Sequence, residues 1–131
     1  MAEIKLPRLN RVYLVGRLTK DPEVKQTQTG KSVLNARLAI NHPYRDGEGN
    51  WQEDVTYIDV VTWQRLAELC GEYLHKGSAV LVEGRLRSRS WESEDGKSRS
   101  VIEVRADRVQ FLDKVGTADK DMEFETVEAD Q

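Results

Sequence analysis

The chain has 131 residues, 38% hydrophobic and 33% charged, which suits a single domain and excludes a multidomain enzyme. No apolar run of about 18 residues occurs and residues 1–11 do not read as a secretory leader, so no membrane contact and a cytoplasmic location are expected; Cys70 is the only cysteine, with only His42 and His75 to accompany it, so neither a disulfide framework nor a zinc-ligand spacing arises and no metal or cofactor is expected. The formal charge of -3 hides an asymmetry: residues 1–114 hold 19 Lys and Arg against 17 Asp and Glu, whereas residues 115–131 hold one Lys against six acids, so a mildly basic body carries an acidic tail.

The first apolar, β-branched and aromatic run, RVYLVGRL at Arg11 to Leu18, predicts a strand, with Gly16 placed for a bulge or bend that lets it serve two sides of a small barrel. After Thr29-Gly30-Lys31, Leu34, Ala36, Leu38 and Ile40 alternate with Asn35, Arg37 and Asn41, which predicts a half-buried second strand. His42 to Asp54 is dense in turn residues yet carries Tyr44 and Trp51, and fits an exposed loop or a long β-ribbon. Val55 to Trp63 predicts a third strand with Tyr57 and Trp63 on one face.

Leu66, Leu69, Cys70, Tyr73 and Leu74 recur at helical spacing, with Lys76-Gly77 as the expected helix end and His75 in its last turn. Ala79 to Trp91 then alternates, with Val80, Val82 and Leu86 assigned to the core and Glu83, Arg85, Arg87, Arg89 and Trp91 to the other face. Asp95-Gly96 is a hairpin signal, and Ser98 to Leu112 predicts a fifth strand with Ile102, Val104 and Ala106 in one row. Residues 115–131 show no periodicity and are expected to be disordered, leaving 1–114 as the domain. Three strands, one short helix and two strands (β-β-β-α-β-β) make an all-β chain with the order of the five-stranded OB-fold barrel.

Aromatic residues interleaved with cations are the main functional signal: Tyr44, Trp51, Tyr57, Trp63 and Trp91, with Arg17, Lys25, Arg37, Arg45, Arg65, Lys76, Arg85, Arg87 and Arg89 between them. Single-stranded nucleic acid needs that mixture, because its bases stack on rings while its phosphates need a cationic track. Any one Trp or Tyr in a small β domain belongs more often to the core, and any one Arg more often to a solvated face. Arg85-x-Arg87-x-Arg89 is more telling, since like charges on one strand face repel unless a polyanion or an opposing acidic row neutralises them. Catalytic signals are weak: Gly47-x-Gly49 lacks the rest of a dinucleotide fingerprint, no phosphate loop of the GxxxxGK[ST] form occurs, and no nucleophile has a base at motif spacing. A non-enzymatic protein is expected.

With these residues in view, the chain resembles the bacterial single-stranded DNA-binding protein family from Leu9 to Leu112, through NRVYLVGRLTKDPEVK at Asn10 to Lys25, VVTWQRLAELCGEYLHKGSAVLVEGRLRSRSW at Val60 to Trp91, and the strand from Ser100 to Leu112. The resemblance implies OB barrels assembled as a homotetramer that binds and protects single-stranded DNA in replication, repair and recombination, in the cytoplasm at the nucleoid. It carries the family's stacking positions onto Tyr44, Tyr57, Trp63 and Trp91, with Trp51 an additional candidate, and its basic positions onto Lys25, Arg45, Arg65, Lys76, Arg87 and Arg89; Arg17 and Arg85 come from the local pattern. Two departures stand out: Ile58-Asp59, where His-Arg is frequent and which bears on the subunit interface in the family, and an end at Glu128-Ala129-Asp130-Gln131 in place of the acidic Pro-Phe tip that partner proteins capture, with Met122-Glu123-Phe124-Glu125 the candidate substitute and a plain acidic linker the alternative. The alternatives are an OB module of primosome or plasmid-transfer type acting mainly through protein partners, and a small-barrel nuclease, against which the absence of a carboxylate cluster in the sequence argues.

Overall fold

The computed structural model describes residues 3–113 and 126–128. Strands β1 (Val12–Leu18), β2 (Glu23–Gln26), β3 (Ser32–Arg45) and β4 (Trp51–Trp63) precede helix α1 (Gln64–Tyr73), and β5 (Ala79–Glu92), β6 (Ser98–Phe111) and β7 (Thr126–Glu128) follow it. The sheet runs β1-β5-β6-β4-β3-β2, and β1 closes it by pairing Arg17 with Ala39 and Leu18 with Leu38 of β3. Five long strands thus form the expected barrel, with the helix between the third and fourth of them. The short strand β2, EVKQ, is exposed along its length and carries no apolar row that would reveal it. The strand β7 lies inside the segment expected to have no structure and pairs with Arg108 to Gln110 of β6; the rest of residues 115–131 lies outside the described residues.

Alternation turns Leu34 and Leu38 of β3, Val80 and Val82 of β5, and Val104 and Ala106 of β6 inward, and α1 adds Leu66, Ala67 and Cys70 from one face. Each such leucine contributes about 1.5–3 kcal/mol by leaving water. The helix is shorter than its periodicity predicts. It ends at Tyr73, and Leu74 donates its backbone N–H to the Cys70 carbonyl. Residues 75–78 form a turn tied to β1, with the Gly77 N–H on the Leu18 carbonyl and the Leu18 N–H on the Ser78 carbonyl. His75 and Gly77 therefore belong to this turn and not to a helix terminus: pairing with β1 outweighs the local cap signal.

Gly16 carries no bulge, for the register with β5 continues from Leu14 opposite Val82 to Gly16 opposite Val80. A Cβ at Gly16 would lie 2.7 Å from the Ala39 carbonyl oxygen, so glycine here permits the close crossing by which β1 passes from β5 to β3. The bulge falls in β6: Glu83 faces Arg108 and Gly84 faces Ala106, which leaves Asp107 as the extra residue. Inward positions consequently change parity, from Val104 and Ala106 to Val109 and Phe111.

Beyond Gly84 the strands β5 and β6 leave the barrel as a ribbon. Leu86, assigned to the core by alternation, and Ile102, placed in one row with Val104 and Ala106, are 47% and 50% exposed there. The strands β3 and β4 do likewise, paired continuously out to Arg45 opposite Trp51, so the polar stretch around residue 50 is the ribbon and not an open loop. Both tips are three-residue loops with glycine at positive φ, Gly49 at 82° and Gly96 at 79°. The Asp46 carboxylate accepts the Asn50 and Glu48 N–H groups at 2.9 Å, which holds it below its ordinary range, and Ser93 and the Lys97 N–H do the same for Asp95.

Candidate nucleic-acid interface

Residues directly opposite one another in a sheet share a face, so the register defines the site. On β5, Arg85, Arg87, Arg89 and Trp91 stand opposite Arg105, Glu103, Val101 and Arg99 of β6. Arg105 lies beside Val61 of β4 across the single parallel pairing, so Val61, and with it Trp63, Asp59, Tyr57 and Trp51, continues the same outer face. On β3 that face holds Val33, Arg37 and Arg45, and Lys25 of β2 stands opposite Val33, in one row with Trp63. Ten of the expected residues (Lys25, Arg37, Arg45, Trp51, Tyr57, Trp63, Arg85, Arg87, Arg89 and Trp91) share this surface.

Each of the four rings on this face carries a guanidinium group. The Arg45 guanidinium carbon lies 4.9 Å from the Trp51 ring centroid, Arg89 4.9 Å from Trp91, Arg37 5.3 Å from Tyr57 and Arg105 5.9 Å from Trp63. Such contacts are worth about 0.5–1 kcal/mol at exposed sites. The rings remain open to solvent, Trp51 by 65%, Tyr57 by 53% and Trp91 by 42%. A flat, cation-lined array of this kind offers stacking surfaces and phosphate partners together.

Between the end of β4 and the β5–β6 ribbon a hollow of about 300 Å³ is lined by Val61, Trp63, Arg87, Ser88, Arg89, Ser90, Glu103 and Arg105. Three guanidinium groups face one carboxylate there. Glu103 is nearly buried and pairs with Arg89 at 3.5 Å, so the opposing acidic row reduces to a single residue. Arg85 stands directly opposite Arg105, a like-charge pair that costs the free protein stability.

Other expected residues lie elsewhere. Tyr44 is opposite Gln52, on the other face of the β3–β4 ribbon. Arg17 donates to the Gly77 carbonyl at 2.8 Å and pairs with Asp113 at 3.8 Å, and Lys76 sits in the same turn, its N–H on Asp21; both are at the start of β5, away from Arg85 to Trp91. Arg65 is exposed in the first turn of α1. At Ile58-Asp59, Ile58 packs on the core while Asp59 stands opposite Arg37 at 3.9 Å, drawing on a cation of the face itself. Arg105 is the residue missing from the sequence-based set; its signal was the odd-numbered row Arg99, Val101, Glu103, Arg105 that alternates with Ile102, Val104 and Ala106.

Comparison with known proteins agrees with this geometry. The chain is 50% identical over 110 residues to Single-stranded DNA-binding protein 2 of Chlorobaculum tepidum, covering 83% of this chain and 74% of that one. It is 47% identical over 109 residues to the single-stranded DNA-binding protein of Oceanobacillus iheyensis, covering 83% of this chain and 66% of the relative. Among solved structures, a deletion mutant of the single-stranded DNA binding protein from Thermus aquaticus superposes with a TM-score of 0.72 at 37% identity, over 82% of this chain and 52% of that one. The Plasmodium falciparum SSB complex with ssDNA gives 0.69 at 27% identity, over 79% and 90%. The family model described as the single-strand binding protein family matches residues 9–112, barrel and both ribbons together, and the chain belongs to that family.

Proposed function

We propose that the protein binds single-stranded DNA without regard to sequence, stacking bases on Trp51, Tyr57, Trp63 and Trp91 and setting phosphates against Lys25, Arg37, Arg45, Arg85, Arg87 and Arg89. The observation that carries this reading is the set of four ring and guanidinium pairs on one outer face. Every base has a π-face, so stacking is indifferent to sequence, whereas a duplex keeps those faces covered. Tyr44, Arg65, Lys76 and Arg17 join where a long strand passes round the ribbon or the barrel. The protein is a binding protein and not an enzyme, and it covers exposed strands during replication, repair and recombination in the cytoplasm.

It works as an assembly of copies, a homotetramer. Support comes from Tyr13 and Val15, apolar and exposed on the outer side of β1, and from Ile4, Leu6 and Leu9 beside them in sequence, also exposed. Tryptophan fluorescence during titration with oligothymidylate and with duplex, at two salt concentrations, tests the binding: quenching by the single strand alone, weakened by salt, is expected. Equal responses to both nucleic acids would overturn the reading. Light scattering tests the assembly, with a mass of four chains expected and a monomer counting against it.

A further inference from the structure

Four guanidinium groups lie over four rings, but the spacings differ. A base held between a ring and a guanidinium plane needs two stacking spacings, about 7 Å. At Trp51 and Trp91 the guanidinium carbon is 4.9 Å from the ring centroid and at Tyr57 5.3 Å, whereas over Trp63 it is 5.9 Å. The Arg105 guanidinium carbon therefore lies about 1 Å farther from its ring centroid than those of Arg45 and Arg89 do from theirs, which makes this pair the most open of the four.

Two further features single out this pair. Arg37 and Arg89 are tied to carboxylates, Asp59 at 3.9 Å and Glu103 at 3.5 Å, while Arg105, like Arg45, has no ion pair among the described residues, and of the four it alone stands opposite a like charge, Arg85. Trp63 and Arg105 also line the 300 Å³ hollow, so the space for an incoming base adjoins the two surfaces that would hold it.

We propose that Arg105 is a strand-binding residue that clamps one nucleobase against Trp63. The base enters the hollow and lies between the indole and the planar guanidinium, and Arg87 at the rim meets the adjoining phosphate. This rests on the reading of the face as a single-stranded DNA site. A lysine would keep the charge of Arg105 but not its flat stacking surface, which separates a clamp from a simple phosphate contact.

The test uses the full chain and the variants R105K and R105Q, titrated with oligothymidylate by tryptophan fluorescence at three salt concentrations. Both variants are expected to bind about three- to tenfold more weakly. Both variants are expected to keep the wild-type salt slope, because the phosphate beside the clamp is met by Arg87. Wild-type affinity in R105K would overturn the clamp and leave Arg105 as a phosphate contact; wild-type affinity and slope in R105Q would remove it from the site. R105K decides the matter alone should R105Q unfold. Failure of the unmutated protein to bind the oligonucleotide would instead overturn the underlying reading, and the clamp with it.

Discussion

The Glu103 carboxylate, its side chain only 9% exposed, lies 3.5 Å from Nε of Arg89, the residue whose guanidinium covers Trp91. This one acid sits among Arg85, Arg87, Arg89 and Arg105, where it lowers the repulsion of the free protein and opposes any phosphate that approaches. Glu103→Gln keeps the shape and removes the charge. It is expected to raise affinity for single-stranded DNA at low salt, to steepen the salt slope by roughly one unit and to lower the melting temperature. Weaker binding at low salt would mean instead that Glu103 serves chiefly to aim Arg89.

Trp91 and Arg87 share the outer face of β5, four residues apart in sequence, yet should fail in different ways. Trp91→Ala is expected to weaken binding by about 1–3 kcal/mol with little change in salt slope, because a stacking surface is lost and no counterion count changes. Arg87→Ala is expected to lessen the slope by roughly one unit. Oligothymidylate titrations across a salt series measure both. Equal slopes in the two variants would contradict the division of labour between ring and cation.

The barrel was legible because alternation is a local property: the inward Leu34, Leu38, Val80 and Val82 follow from parity alone. The errors cluster where parity ceases to map onto burial. Asp107 adds one residue to β6, and beyond Gly84 there is no core left for Leu86 and Ile102 to enter. The rings and cations that β3, β4 and β5 bring to the outer face were visible as an aromatic and cationic pattern. Arg105 was not: its local row gives the side of β6 it occupies, but its place beside Trp63 depends on the parallel pairing of β4 with β6, a contact between segments 44 residues apart at Val61 and Arg105. Tyr44 shows the converse: its residue type fits the pattern, and its register puts it on the opposite face of the ribbon, which the sequence does not reveal.

That placement gives Tyr44 a length-dependent role. A strand of about 8 nucleotides can be held on the outer face without reaching the other side of the β3–β4 ribbon, whereas a longer one can pass round its edge. Tyr44→Ala is expected to leave the affinity for the short strand unchanged and to weaken the long one severalfold, while Trp51→Ala weakens both. Loss of short-strand affinity in the Tyr44 variant would show that both ribbon faces engage at once.

Gly84 sets the height of β6 beneath Arg105. A Cβ at Gly84 would collide with the Arg105 carbonyl oxygen, which is backbone and cannot turn aside. Gly84→Ala is therefore expected to destabilise the fold by roughly 1–3 kcal/mol and, where folded protein is recovered, to weaken DNA binding through displacement of Arg105. Denaturant unfolding measures the first effect and fluorescence titration the second. An alanine variant of unchanged stability would show that the bulge at Asp107 relaxes to make room.

Cys70 is buried in the face that α1 packs on the barrel, and burial pushes its thiol up from 9.0 to about 12. The native state therefore holds this proton more tightly than the unfolded chain. Stability from this group is complete below pH 9, where the thiol is protonated in both states, and falls as the pH rises toward 12, by about 1.4 kcal/mol per pH unit, because only the unfolded chain ionises. Cys70→Ala removes that dependence along with the thiol. Denaturant unfolding of the two proteins at pH 8 and at pH 10 is expected to show the wild type losing more stability than the variant across the interval, and the native thiol should resist disulfide reagents at pH 8 until the protein unfolds. Equal losses in the two proteins, or prompt reaction of the folded protein, would show that solvent reaches Cys70 and that the packing of α1 on the barrel opens readily.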